Sequence, residues 1–206
     1  MKEQIEVEVR GKILDFSKTL DFFKKNAQFV EEKDRLSFIY FREDVKDVSE
    51  IKDELVDLRV RITNKKAEIV MKYGKWGSQE SRKEFSFPIS NENFGPALDF
   101  FKCLGWTKGV MMDTKTFVFN YEGIEFALAS VGKNSYFEAE ILVNSQKNIE
   151  SANKKIKEVC SFLNLDIFSE GEFISLINYL NSRKEYLFDM EKENFEDIKE
   201  KFEEYF

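Results

Sequence analysis

Residues 57–73 read DLRVRITNKKAEIVMKY. Leu58, Val60 and Ile62 alternate with Arg59 and Arg61, and the chain turns at Asn64-Lys65-Lys66. Ile69, Met71 and Tyr73 then alternate with Glu68, Val70 and Lys72. A period of two is the mark of a strand with unlike faces, so this stretch predicts a β-hairpin. One of its faces is apolar; the other carries charge.

The same alternation recurs on both sides. In 5–13, Ile5, Val7 and Val9 alternate with Glu6, Glu8 and Arg10. Residues 36–43 predict a further strand, and in 82–88 Phe85 and Phe87 alternate with Arg82, Glu84 and Ser86. Segments 115–121 and 124–130, joined at Glu122-Gly123, predict a second hairpin. In 136–143, Phe137, Ala139 and Ile141 alternate with Tyr136, Glu138 and Glu140. Many short strands with short turns point to an antiparallel sheet or barrel.

Helices interrupt this series at 17–26 and 94–104, the second with Asn93 as its cap, Pro96 in its first turn and Gly105 at its end. The two share a pattern, Leu20-Asp-Phe-Phe-Lys-Lys25 and Leu98-Asp-Phe-Phe-Lys-Cys103, 78 residues apart. At that offset Glu6 falls on Glu84 and Glu8 on Ser86, as a barrel of two similar halves would show. After residue 145 the chain turns helical. Ile149, Ala152, Ile156, Val159, Cys160 and Leu163 fit a 3.6 period. Ser169 and Glu172 have the spacing of a capping box for a helix through about 188. A last amphipathic run places Phe195, Ile198 and Phe202 on one stripe, which predicts packing against the chain's own domain; left unpacked, the stripe would favour a homodimer. No linker-like stretch separates these parts, so the reading is one domain over 1–206, with strands from about 4 to 143 and helices from about 146 to 206.

Composition excludes several functions. With 22 Phe among 206 residues, a sizeable core is available. A net charge of −7 argues against nonspecific nucleic-acid or anionic-membrane binding. Over half of that excess lies in 183–206, where nine acidic and five basic side chains fall, so the body is closer to neutral. The chain has no His. That removes Ser–His and Cys–His catalysis and His–metal sites. A metal would have to be held by oxygen, which favours Mg²⁺ or Mn²⁺. Two cysteines without a paired framework, no signal-like N-terminus and no long apolar run lead to the expectation of a cytoplasmic protein that does not span a membrane.

Three strands carry like charges at i, i+2: Glu6/Glu8, Arg59/Arg61 and Glu138/Glu140. Residues two apart on a strand share a face, about 7 Å apart. Such carboxylate pairs can share hard cations, and Arg is suited to phosphate because its fork donates two parallel bonds. Like charges so close also call for counter-charge. A solvated sheet face shows the same alternation; it is the recurrence at matched parity that points to a site.

In order, Glu6-x-Glu8-x-Arg10, Leu58-Arg59-Val60-Arg61, Ala67-Glu-Ile-Val-Met-Lys72, Arg82-x-Glu84-Phe85, the helix ending at Leu104-Gly105 and Tyr136-Phe-Glu138-Ala-Glu140-Ile141 resemble the CYTH superfamily. These are the triphosphate tunnel enzymes, which include class IV adenylate cyclases and thiamine or inorganic triphosphatases. The resemblance runs over residues 5–143 and continues in the helical segment to about 180. It implies an α+β fold: a closed eight-stranded antiparallel β-barrel with flanking helices and a helical C-terminal extension. It implies a triphosphate or nucleotide ligand with Mg²⁺ or Mn²⁺. Glu6, Glu8, Glu138, Glu140 and Glu84 become metal ligands, with Glu6, Glu8 and Arg10 in catalysis. Arg59, Arg61, Lys72, Arg82 and Lys115 become phosphate binders.

The chain departs from the family at four places. Arg10 stands where Lys is usual, and Arg cannot act as a base. Ala129 stands where a metal-binding Asp is expected, Ser86 where a second Glu is common, and the second basic cluster is thinned to Met112 and Lys115. Hydrolysis of a triphosphate is the first functional reading, cyclisation of ATP the second, and binding without catalysis the third.

Overall fold

Asn64 and Lys65 adopt left-handed backbone angles, φ 48° and 61°, the geometry of a tight two-residue hairpin turn. Their turn sets the register of the strands it joins. β3 (Glu54–Thr63) pairs antiparallel with β4 (Lys66–Lys75), with Thr63 opposite Lys66 and Arg61 opposite Glu68. The Asn64 side chain accepts the Asp34 backbone N–H at 2.8 Å. Glu122 and Gly123 form the second such turn, at φ 55° and 71°.

The computed structural model describes residues 5–41, 54–75, 83–131 and 134–206. The remaining elements are β1 (Ile5–Lys12), α1 (Phe16–Asn26), β2 (Gln28–Tyr40), β5 (Lys83–Ile89), α2 (Phe94–Cys103), β6 (Lys108–Tyr121), β7 (Ile124–Val131) and β8 (Asn134–Val143). They continue with α3 (Ile149–Phe162), β9 (Asp166–Ile167), α4 (Glu170–Asn181), β10 (Leu187–Asp189) and α5 (Phe195–Lys201). The fold is α+β, with one antiparallel ladder in the order β5-β4-β3-β2-β6-β7-β8-β1-β9 and β10 added to β6. The antiparallel order and flanking helices agree with the sequence reading. Among the described residues, however, the ladder has ten strands, not eight, and runs open from β5 to β9.

The chain divides into two compact units. The first takes its described residues from Met1–Lys33 and Thr114–Phe173, the second from Asp34–Trp76, Arg82–Asp113 and Ile174–Phe206. In the first, α1 and α3 cover Val7, Val9, Phe119, Phe126, Phe137 and Ala139. In the second, α2 and α5 cover Leu36, Phe38, Leu58, Val60 and Ile62. The shared hexapeptide lies in α1 and α2. Phe23 and Phe101, its equivalent positions, are buried in their respective cores, while Phe22 and Phe100 are exposed. Burying a Phe side chain contributes about 1.5–3 kcal/mol.

Several boundaries differ from the sequence reading. β2 begins at Gln28, eight residues before the expected start, because its first half is exposed and charged and loses the alternation. β6 likewise begins at Lys108, not 115. The capping box forms: Ser169 N–H and Oγ donate to Glu172 Oε2 at 2.8 and 2.7 Å. Its helix stops at Asn181, short of the expected 188. The chain leaves it to pair Phe188 opposite Gly109 and bury the Phe188 ring in the second unit's core. Asn93 occupies the cap position of α2 without a side-chain hydrogen bond. Instead Asn91 ties the hairpin, its Nδ2 donating to the Lys65 carbonyl at 3.0 Å. The C-terminal stripe is covered as expected, with Ile198 fully buried and Phe195, Phe202, Tyr205 and Phe206 packed against the second core. Among the described residues no helix is long and apolar enough to cross a membrane.

Gly11 lets β9 approach β1: a Cβ there would overlap the Asp166 carbonyl oxygen and the Phe137 ring. Gly11→Ala should therefore cost about 1–3 kcal/mol through overpacking. Gly171→Ala, whose added Cβ would meet nothing within 4 Å, should gain about half a kcal/mol by restricting the unfolded chain. Denaturant midpoints of the two variants, displaced in opposite directions from wild type, would check both.

Candidate functional site

In β1, β3, β7 and β8 one face packs into a core that helices cover, and the paired charged residues share the other face. In the first unit this face has clear rungs. Glu8 of β1 lies opposite Glu140 of β8, which lies opposite Glu125 of β7. The next rung is Arg10, Glu138 and Ala127, and the one after is Lys12, Tyr136 and Ala129.

Carboxylates crowd the first of these rungs. Glu140 is pushed up to about 8 by burial, by a hydrogen bond shared with Glu6, and by the charges of Glu6, Glu125 and Glu8. Arg10 supplies the counter-charge. Its Nη2 lies 2.6 Å from Glu8 Oε1, and its Nε donates to Glu138 Oε1 at 2.9 Å. Burial opposes the Arg10 charge, but Glu138 and Glu8 more than offset it and raise its affinity for the proton. Arg10 is thus a fixed cation and not a base. Phe173 of α4 covers it, with the ring centroid 5.0 Å from Cζ.

The second unit carries the cations. Arg59 makes a two-pronged pair with Asp57, at 2.8 and 2.6 Å. Arg61 reaches Glu68 at 2.6 Å and Glu84 at 3.3 Å. Lys72 pairs with Glu84 at 2.9 Å. Burial works against the Glu68 charge, yet hydrogen bonds from Arg61 and Ser86 hold it below its ordinary range. Burial likewise opposes the Glu84 charge, and Lys72 and Arg61 hold it down. Asp57 and Arg61 are shielded, at 6% and 9% exposed, whereas Glu84 and Ser86 are exposed.

The structure therefore brings Glu6, Glu8, Arg10, Glu138 and Glu140 together in the first unit, and Arg59, Arg61, Lys72 and Glu84 in the second. Glu84 lies among cations there, as their counter-charge. Lys115 does not share the Ala129 face of its hairpin: the residue of β6 opposite Ala129 is Thr116. Strand alternation turns Lys115 to the side of Phe117, where it pairs with Glu32 at 2.8 Å and lies over the Phe117 ring. Arg82 lies outside the described residues. Ala129 is 3% exposed on the carboxylate-bearing face.

Sequence reasoning missed Asp57, Glu68 and Arg35. A two-residue turn at Asn64-Lys65 already pairs Arg61 with Glu68 and Asp57 with Lys72; that register was the available signal. Arg35 was hidden in the charged half of β2.

The fold is shared with solved proteins of low sequence identity. A conserved hypothetical protein from Pyrococcus furiosus is 24% identical, with 83% of this chain and 99% of that one covered at a TM-score of 0.62. A candidate adenylate cyclase from Vibrio parahaemolyticus is 13% identical, with 81% and 94% covered at 0.61. HpAC1 from Hippeastrum, a candidate adenylyl cyclase described with a dominant triphosphatase activity, is 11% identical, with 89% and 100% covered at 0.57. At these identities the neighbours show a shared fold. No protein-family model matches the chain, and no curated protein matches its sequence.

Because Glu140 keeps its proton to about 8 in the folded state, the folded chain binds more protons than the unfolded one between the ordinary carboxylate range and pH 8. Stability should therefore fall as pH rises through that window. With no His in the chain, few other groups titrate there. Glu140→Gln should flatten the decline in melting temperature between pH 5 and 8.5 relative to wild type, as differential scanning calorimetry would record.

Proposed function

We propose that the chain binds a metal-complexed triphosphate and hydrolyses it. The observation that carries this reading is the partly buried ionic face of each unit, with crowded carboxylates in one and closely set cations in the other. A face meant only for solvent has no need of charges crowded enough to hold the Glu140 proton to about 8.

The donor set fits a hard divalent cation. Glu6 and Glu140 share a hydrogen bond, with Glu8 and Glu125 close enough to act on Glu140. Among the described residues no three carboxylates are gathered into a metal cage. Mg²⁺ is commonly held by one or two carboxylates, with waters and substrate phosphates completing its shell, and the Glu6–Glu140 pair offers two. Such a cation, when bound, neutralises phosphate charge and polarises the transferred phosphoryl group. In this reading Glu6 and Glu140 would hold the cation, and Glu8 and Glu138 hold Arg10 in place. Arg59, Arg61 and Lys72 take phosphate oxygens. Closure of the strands into a tunnel belongs to this proposal and rests on the resemblance.

Hydrolysis is preferred to cyclisation on chemical grounds. It asks only that a water meet the terminal phosphate, whereas cyclisation also requires a ribose hydroxyl to be oriented. Binding without turnover is the second reading. It is favoured by Ala129, a buried side chain without an oxygen donor where the resemblance leads one to expect Asp.

Tripolyphosphate at about 100 times its Kd, with Mg²⁺, should stabilise the chain by about 2.7 kcal/mol, or about 5–10 °C for a chain of this size. Arg59→Gln combined with Arg61→Gln should abolish that shift. It should also lower the unliganded melting temperature, because Asp57 and Glu68 lose their partners. A double variant that still responds fully would refute the phosphate assignment. Phosphate-release and cyclic-nucleotide assays on the same samples separate the catalytic readings.

A further inference from the structure

Arg35 lies on the same face of β2 as Ser37, while Leu36 and Phe38 point into the second unit's core. It stands opposite Thr63, beside the Ser37–Arg61 pair. Its Nε donates to Thr63 Oγ1 at 2.8 Å. Among the described residues its terminal nitrogens, with four N–H groups, make no hydrogen bond or ion pair. The carboxylates of this face are engaged elsewhere: Asp57 by Arg59, Glu68 by Arg61, and Glu84 by Lys72 and Arg61.

The environment works against this charge. Burial, with repulsion from Arg61 and Arg59, lowers Arg35 to about 10, although Glu68 and Glu84 act in the other direction. A hydrogen bond to one threonine hydroxyl is poor compensation for a half-buried guanidinium, and a neutral side chain could make it. A doubly charged oxyanion would satisfy the open N–H groups and relieve the repulsion together.

We propose that Arg35 is an additional phosphoryl-binding residue, its guanidinium fork taking a phosphate group of a bound polyphosphate beside Arg61. This rests on the triphosphate reading above and extends it to a side chain outside the family resemblance.

The test is calorimetric titration of the full chain with tripolyphosphate and Mg²⁺, using wild type, Arg35→Gln and Arg35→Lys, together with unliganded melting curves. Arg35→Gln should weaken binding about tenfold or more, the range of a charge-assisted hydrogen bond. Arg35→Lys should recover part of that loss, because it restores the charge without the fork. The unliganded melting temperature of Arg35→Gln should stay level or rise, since a disfavoured charge is removed. Equal affinity in wild type and Arg35→Gln would overturn the assignment of Arg35 alone. A drop in unliganded melting temperature with no rescue of binding by Lys would also overturn it, by showing a structural role. A wild type that does not bind tripolyphosphate would overturn this inference and the functional reading together.

Discussion

Helices seal one face of the strands in each unit, and that constraint leaves the charged side chains only the other face. Val7 and Val9 under α1 and α3 fix the orientation of Glu6, Glu8 and Arg10. Val60 and Ile62, in the core that α2 helps to cover, do the same for Arg59 and Arg61. Because a strand has a side-chain period of two, a slip of one residue would bury the charges and expose the core. The core thus protects the register, and the register sets which ionisable groups meet. The Glu8–Glu140–Glu125 rung follows from this, as does the Arg61–Glu68 pair.

The two faces handle like charge differently. In the second unit Arg59, Arg61 and Lys72 each meet a carboxylate, and Glu68 and Glu84 are held in their charged forms. In the first, Arg10 serves Glu8 and Glu138, while burial and the neighbouring carboxylates push Glu140 above its ordinary range. A ligand pays a competitive cost on the first kind of surface, because phosphate must displace a carboxylate already in contact. On the second, a cation need displace only a proton.

Much of this was legible in the sequence. The alternation of 5–10, 57–63, 67–73 and 136–143 identified the strands and the faces of Glu6, Glu8, Arg59, Arg61, Lys72, Glu138 and Glu140, because parity needs only local pattern. The repeated hexapeptide identified two helices that occupy equivalent places in their units, at Phe23 and Phe101. What failed was partnership and extent. The counter-charges of the arginines come from Asp57 and Glu68, which depend on hairpin register, not on composition. The first half of β2 has no apolar face to announce it, so Arg35 escaped notice. Lys115 was matched by its place in the chain order, whereas its parity alone turns it to the Phe117 side. β9 and β10 are too short to leave a periodic signal; they form because Gly11 and Gly109 allow another chain segment to come close.

The most direct measurement is a crystal structure of the chain with tripolyphosphate and Mn²⁺, with anomalous scattering to locate the metal. The account predicts manganese coordinated by Glu6 or Glu140, and phosphate oxygens on Arg59 and Arg61 in place of Asp57 and Glu68. Manganese and phosphate bound only at other surfaces, with the Arg59–Asp57 and Arg61–Glu68 pairs intact, would contradict it.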